Sequence, residues 1–272
     1  MKFIKYLIAL IICFALSVPA MAQRSTRSQG EVPPPKTKKA AQEQTVPHRS
    51  KKRSPQNTGV VAGQIRPRVF LNPGHGGHDS DDRPCPFYNE GMQARVEYYE
   101  SDSNLKGAMA MKDILRSRGY EVFMSRVNNT TDDDLNLFEI HQLALNSGAD
   151  VFFAIHSNSS GSATRRVNFP FAIYRGYDGG GTAEGSEELA GIVASNLADC
   201  EATSWSRGGL THGDWSFYRN RSGLGVFRWN KLPGILVENC FHDYQIERER
   251  FLNKDYCGLL APINSRSLDK FF

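Results

Sequence analysis

The chain carries five cysteines, and no two of them form a CxxC pair. Thiolate zinc sites draw on such close pairs, so a structural site of that kind is argued against. Also missing is a GxSxG elbow around any serine, which weakens the case for a nucleophilic serine hydrolase, although Ser157 directly follows His156. No internal repeat appears, and no second linker interrupts residues 69–272. Large apolar residues are nearly absent from Gln23 to Arg68, a stretch containing Pro33-Pro34-Pro35 and the basic clusters Lys36 to Lys39 and Arg49 to Arg53. Such a segment cannot bury enough surface to offset its ordering entropy, so residues 23–66 read as a disordered basic linker.

Ahead of it, Lys2 and Lys5 precede an apolar run from Leu7 to Val18, and Ala20-Met21-Ala22 places small residues where a signal peptidase inspects them. Residues 1–22 therefore read as a signal peptide cleaved after Ala22, an uncleaved anchor being the alternative. Export predicts a periplasmic or cell-envelope location, or secretion. Charge divides along the chain. The stretch 23–68 holds 11 Lys and Arg against 2 Glu, a net +9, and the signal adds +2; with +4 overall, residues 69–272 carry −7. An exported chain with an acidic folded part argues against nucleic acid as a partner. The basic tail is suited to an anionic wall polymer or membrane surface, or serves as a solvated spacer. Once Cys13 leaves with the signal, Cys85, Cys200, Cys240 and Cys257 allow two disulfides in three connectivities, with four free thiols as the alternative.

Residues 67–272 are expected to form a single α/β domain, a twisted and mostly parallel β-sheet flanked by helices. Strand patterns at Val69 to Leu71, Tyr120 to Met124, Asp150 to Ile155, Phe169 to Tyr174 and Gly234 to Val237 alternate with helical ones. The helices are expected at Ser103 to Arg118, Leu137 to Asn146, Ser186 to Leu197 and Tyr244 to Phe251. The stretch Thr203 to Trp229 lacks periodicity and reads as loops bordering a cleft.

Three polar clusters sit just past three apolar strands: Gly74-His75-Gly76-Gly77-His78, His156-Ser157-Asn158 and Glu238-Asn239. Open α/β sheets bind ligands beyond the carboxyl ends of their strands, so these clusters can converge. Singly, each has a plainer explanation: a turn for His75, a buried hydrogen-bonded imidazole for His156. Glu238 is costly to bury unless paired, metal-bound or neutralised. Two histidines need a third group for a catalytic zinc site with an open position. Glu97, Glu100 and Asp102 all qualify, with helix-terminus charge as the other explanation, and spacing does not choose among them.

The blocks VFLNPGHGG (Val69 to Gly77), ESDSNL (Glu100 to Leu105), ADVFFAIHSN (Ala149 to Asn158) and GILVENCF (Gly234 to Phe241) resemble, in order, the signatures of the zinc-dependent N-acetylmuramoyl-L-alanine amidases of the amidase-3 type. The resemblance spans nearly all of residues 69–252. It implies zinc held by His75, Glu100 and His156, with Glu238 as the catalytic carboxylate. It also implies hydrolysis of the bond between N-acetylmuramic acid and the L-alanine of the peptidoglycan stem, in cell-wall turnover or daughter-cell separation. Some relatives are held inactive by a helix over the zinc, which brings an activator protein into view. The sequence departs from the family at Asn72, where an acidic residue is usual, in the long segment Asp81 to Tyr99, and in Thr203 to Trp229 with Trp205, His212, Trp215 and Trp229. Its aromatics serve sugar stacking or core packing; His78 is a candidate to support the site, while His141, His212 and His242 are assigned no role by the sequence. Competing readings are a zinc peptidase cutting another stem bond and a wall-binding module with a degenerate site. N-terminal sequencing of the exported protein is expected to start at Gln23; a chain starting at Met1 would mark an uncleaved anchor.

Overall fold

The computed structural model describes residues 66–78, 87–89, 94–96, 98–160, 167–176, 183–200, 210–214, 223–252 and 255–272. The expected signal peptide and linker (Arg66 apart), Cys85, Glu97, Trp205 and Trp215 lie outside the described residues. Residues Ile65–Phe272 cluster as one unit.

Its strands are β1 (Arg68–Pro73), β2 (Phe87–Asn89), β3 (Ala94–Val96), β4 (Glu121–Met124), β5 (Val151–Asn158), β6 (Phe171–Tyr174), β7 (Leu210–Gly213) and β8 (Gly234–Phe241). Its helices are α1 (Glu100–Ser117), α2 (Leu137–Asn146), α3 (Ser186–Asp199), α4 (Gln245–Leu252) and α5 (Asp255–Phe271). Six strands form one sheet in the order β4-β1-β5-β8-β6-β7, and β2 and β3 pair as a separate antiparallel ribbon. Every pairing in the large sheet is parallel except that of β6 with β8. The mostly parallel α/β sheet expected from the alternating pattern is therefore present.

Alternation along the central strands sorts their side chains into two cores. Val69, Leu71, Val151, Phe153, Ile155, Ile235 and Val237 face one layer, packing with residues of α1, α3 and α5 such as Met111, Leu189 and Leu268. Phe70, Phe152, Ala154 and Leu236 face the other, against Ile140 and Ala144 of α2 and Val226 and Phe227 of a 3₁₀ turn at Gly225–Phe227. Strands buried on both sides explain why β5 and β8 read as continuous apolar runs. Helix α2 starts at a capping box: the Asn136 side chain accepts from the Phe138 and Glu139 N–H groups, and Glu139 accepts from the Asn136 N–H.

Three expectations change. The stretch Thr203 to Trp229, read as loop, contributes β7 as an edge strand and the 3₁₀ turn; four residues ending in glycine are too short to show period-two patterning. Helix α5 went unread because Gly258 and Pro262 interrupt its pattern, yet its later turns bury Leu260, Ala261, Ile263 and Leu268. Helix α1 begins at Glu100 rather than near Ser103, since its first turn is polar and carries no apolar periodicity. Of the cysteines, Cys200 is a free, exposed thiol, so two disulfides among the four do not form. Cys240 is buried in the first core. Phe152, fully buried and stacked on Phe70, predicts that Phe152→Ala lowers stability by about 3–5 kcal/mol in denaturant titration.

Candidate metal centre

Strands β1, β5 and β8 are neighbours and run the same way, so their carboxyl ends lie side by side at one edge of the sheet. His156 of β5 sits directly opposite Glu238 of β8 in the pairing register, just before a shift of register between His156 and Asn158. Residues opposite one another point to the same face. Beyond Pro73, the β1 chain continues the ladder for one more bond, Gly74 N–H to the Ile155 carbonyl at 3.0 Å, and then turns at His75. The third participant, Glu100, is the first residue of α1, where the N-terminal end of the helix favours a negative charge.

These elements bring His75, Glu100 and His156 together, with one ligand atom from each lying within 4.8 Å of the others. Glu100 stands between the two rings. Its Oε2 is 3.1 Å from His75 Nε2, and its Oε1 is 3.0 Å from His156 Nδ1. The Ser157 N–H and the Asn104 amide also donate to Oε1, at 3.0 and 3.3 Å. The imidazoles meet edge to face, their centroids 5.0 Å apart. Burial opposes ionisation of Glu100, but His75 and His156 outweigh it and hold the carboxyl well below the usual range. Of the carboxylates left open by spacing, Glu97 lies outside the described residues, Glu100 is in this cluster, and Asp102 instead lies 3.0 Å from His78.

The glycines beside His75 are required by contact. A Cβ on Gly74 would fall 2.0 Å from both Cε1 and Nε2 of His156, so the imidazole occupies the place of a side chain. Gly77 has φ 65°, and a Cβ there would lie 2.8 Å from the Thr131 backbone nitrogen. His75 itself adopts φ 59°, the sole non-glycine among the described residues in the left-handed region. Such strain persists where surrounding bonds over-determine it.

Those bonds come from residues the sequence reading missed. The buried guanidinium of Arg126 donates to the carbonyls of Pro73, Gly74 and Ser101 at 3.1, 3.2 and 2.9 Å, tying the His75 loop to the first turn of α1. Asn129 accepts from the Gly77 N–H and donates to Ser101 and Asp102. Arg126 lies just past β4 and His156 near the carboxyl end of β5, so the strand-end rule that found the histidine would have found it too. Asn72 is buried, and its amide oxygen accepts from the Ser125 hydroxyl at 2.7 Å. His78 does support the surroundings, stacking on Tyr99 and reaching Asp102 and Asn129. His141 is buried beside the Val226 carbonyl, and His212 lies in β7 against Phe171. Trp229 packs edge-on to Phe138 at the surface.

Glu238 is 7% exposed, and its Oε2 has no hydrogen-bond partner. Burial first, and the Glu100 carboxylate second, push its pKa well above the usual range. A buried carboxylate oxygen without a partner is costly. Its presence next to two imidazoles and an ionised carboxylate fits a group of donors able to hold a cation. Zinc suits the set: two nitrogens and an oxygen leave a fourth tetrahedral position open.

The sheet and the strand-end cluster are those of an α/β domain with a candidate metal centre, and the chain belongs to the N-acetylmuramoyl-L-alanine amidase family, whose model matches residues 69–262. It is 27% identical over 206 residues to the sporulation-specific N-acetylmuramoyl-L-alanine amidase of Bacillus subtilis (strain 168), covering 75% of this chain and 68% of the relative. An N-acetylmuramoyl-L-alanine amidase from Clostridium difficile 630 superposes with TM-score 0.58 at 26% identity, covering 76% and 96% of the two chains. The CwlD amidase of Clostridioides difficile, solved in complex with the GerS lipoprotein, shares the fold with TM-score 0.54 at 18% identity, covering 76% and 98%. The chain is thus a hydrolase that cuts the amide bond between N-acetylmuramic acid and L-alanine in peptidoglycan.

The contact at Gly74 predicts that Gly74→Ala displaces the His156 ring and lowers zinc retention after dialysis to the level of His156→Ala. Gly107→Ala, whose Cβ would meet only Ile155 Cγ2 at 3.9 Å, is expected to retain zinc like the parent.

Proposed function

We propose that this amidase is a zinc hydrolase in which His75, Glu100 and His156 hold the metal and Glu238 carries the proton. The observation that supports it most is the convergence of these three side chains, from three separate elements, within 4.8 Å beside the unpartnered Glu238 oxygen. Zinc bound there supplies polarisation of the scissile carbonyl and acidification of a water molecule.

The chain's own groups do the rest. Glu100, kept ionised by the flanking imidazoles, provides negative charge without taking up a proton. Glu238 takes the proton from the attacking water and returns it to the departing amine of L-alanine, acting as base and then acid. Its buried position favours that exchange, because the carboxyl and carboxylate forms are brought closer in free energy. The β5–β8 pairing keeps Glu238 beside His156 throughout.

The proposal extends to setting and control. The sequence pattern of residues 1–22 supports export to the periplasm or cell envelope, for wall turnover or daughter-cell separation, with the basic linker 23–66 contacting anionic wall or membrane surface. A partner protein belongs to the same proposal, supported by the lipoprotein bound to the CwlD amidase.

Incubation of purified peptidoglycan with residues 60–272 tests the set by mass spectrometry. Free stem peptides beginning with L-alanine are expected from the zinc-loaded parent and not after chelation. Glu238→Gln is expected to keep its zinc and lose activity by about 10²–10⁴-fold. A zinc-loaded but silent parent would point to a missing activator.

A further inference from the structure

Four buried polar side chains behind the candidate centre take no part in the chemistry above: Tyr98, Ser103, Ser157 and His242. They form an unbroken line of hydrogen bonds. The Tyr98 hydroxyl lies 2.6 Å from Ser103 Oγ and 2.9 Å from Ser157 Oγ. Ser157 Oγ lies 3.1 Å from His242 Nδ1. The line joins the start of α1, the end of β5 and the turn after β8, and so ties together the elements that carry Glu100, His156 and Glu238.

The ends of the line determine the proton on every bond. Ser103 donates its hydroxyl hydrogen to the Glu100 carbonyl at 3.0 Å. A carbonyl only accepts, so Ser103 Oγ must in turn accept from Tyr98, and the Tyr98 oxygen is left to accept from the Ser157 hydroxyl. At the far end, His242 Nδ1 faces the Ser157 carbonyl at 3.1 Å, so this nitrogen carries the hydrogen and shares it, in a three-centre bond, between that carbonyl and Ser157 Oγ. The bonds thus run in one direction, from His242 through Ser157 and Tyr98 to Ser103 and the backbone of Glu100. Inside a protein such chains strengthen each bond and penalise the loss of any member.

Both ends of the working section close on one residue. Ser103 holds the Glu100 carbonyl, and the Ser157 N–H donates to Glu100 Oε1, the oxygen that also lies 3.0 Å from His156 Nδ1. We propose that the Ser103–Tyr98–Ser157–His242 chain is a positioning device that aims the Glu100 carboxylate between His75 and His156 and so sets the affinity of the metal centre. This rests on the reading of His75, Glu100 and His156 as the ligand set. Tyr98, Ser157 and His242 are positioning residues and touch no reacting atom. Tyr98 also packs its ring near His242 and Phe251, with centroids 5.1 and 5.7 Å away. A phenylalanine preserves that packing and removes only the hydroxyl.

The test uses metal-free full-length protein, titrated with zinc against a chromophoric chelator and with cobalt(II) for its visible spectrum. Thermal unfolding of the same metal-free samples reports stability separately. Tyr98→Phe is expected to weaken zinc binding by about 10–100-fold, as loss of an outer partner of a ligand does, and to shift the cobalt bands. Ser157→Ala keeps the backbone N–H on Glu100 and cuts only the side-chain link, so a matching loss there must travel through the chain. The double variant is expected to lose no more than the weaker single one. Unchanged zinc affinity and cobalt spectrum in Tyr98→Phe, with at most a lower melting temperature, would leave the hydroxyl a packing group and overturn the proposal. Additive losses would overturn it equally, since independent contacts add and a chain does not. Should Tyr98→Phe fail to fold, Ser157→Ala gives the same decision alone. A parent that binds no zinc overturns the ligand-set reading itself, which is a different result from a parent that binds and variants that bind as well.

Discussion

The structure is organised around one buried carboxylate shared by two imidazoles. Taking Glu100 out of water is unfavourable on its own, and a lone charge in that position would be neutralised or expelled. It is held by four groups at once: His75 on one oxygen, and His156, the Ser157 N–H and the Asn104 amide on the other. They come from the loop after β1, from β5 and from α1 itself, so the carboxylate is satisfied only when all three are in place. Arg126 closes the same arrangement from outside, taking carbonyls from the His75 loop and from the first turn of α1. A buried guanidinium bonded to carbonyls from both elements couples their positions more tightly than apolar packing would, because each bond has a direction.

The apolar cores serve this arrangement through register. Side chains on a strand alternate between faces, so a slip of one residue between β5 and β8 would turn His156 away from Glu238 and send Ala154 and Phe153 to the wrong layers. The cost of moving phenylalanines between two filled cores is what prevents the slip. In that sense Phe152 and Phe153, which touch no reacting group, decide where His156 points. The shift of register just beyond His156 then releases β5 from strict pairing, and Ser157 presents its N–H to Glu100 rather than continuing an unbroken ladder.

The parts readable from the chain were those written in long patterns or at strand ends. Helix α2 matched its expected bounds, Leu137 to Asn146, and the polar residues after β1 and near the ends of β5 and β8 did converge. What escaped had physical reasons. Strand β7 is four residues long at the sheet edge, α5 contains a glycine and a proline, and the first turn of α1 is polar because it faces the site rather than the core. Glu100 could not be told from Asp102 by spacing, because the choice is made by which carboxylate the start of α1 turns inward. Tyr98 and His242 were invisible for a related reason: their role lies in contacts across 59 to 85 positions of sequence, which no local pattern records.

The two buried glutamates show how environment divides labour between identical side chains. Glu100 and Glu238 both lie out of water, and burial alone would raise both. Glu100 escapes because two imidazoles and two N–H donors favour its charged form. Glu238 has no such company on Oε2, and the charge already on Glu100 raises it further. Two carboxylates in one site are thereby driven apart, one kept ionised and one left ready to exchange a proton, the separation that acid–base chemistry needs. The same logic assigns the roles in the proposed reaction without appeal to position in the chain. A ligand must hold its charge through every turnover, so it belongs where donors converge; a proton carrier must give its charge up, so it belongs where they do not.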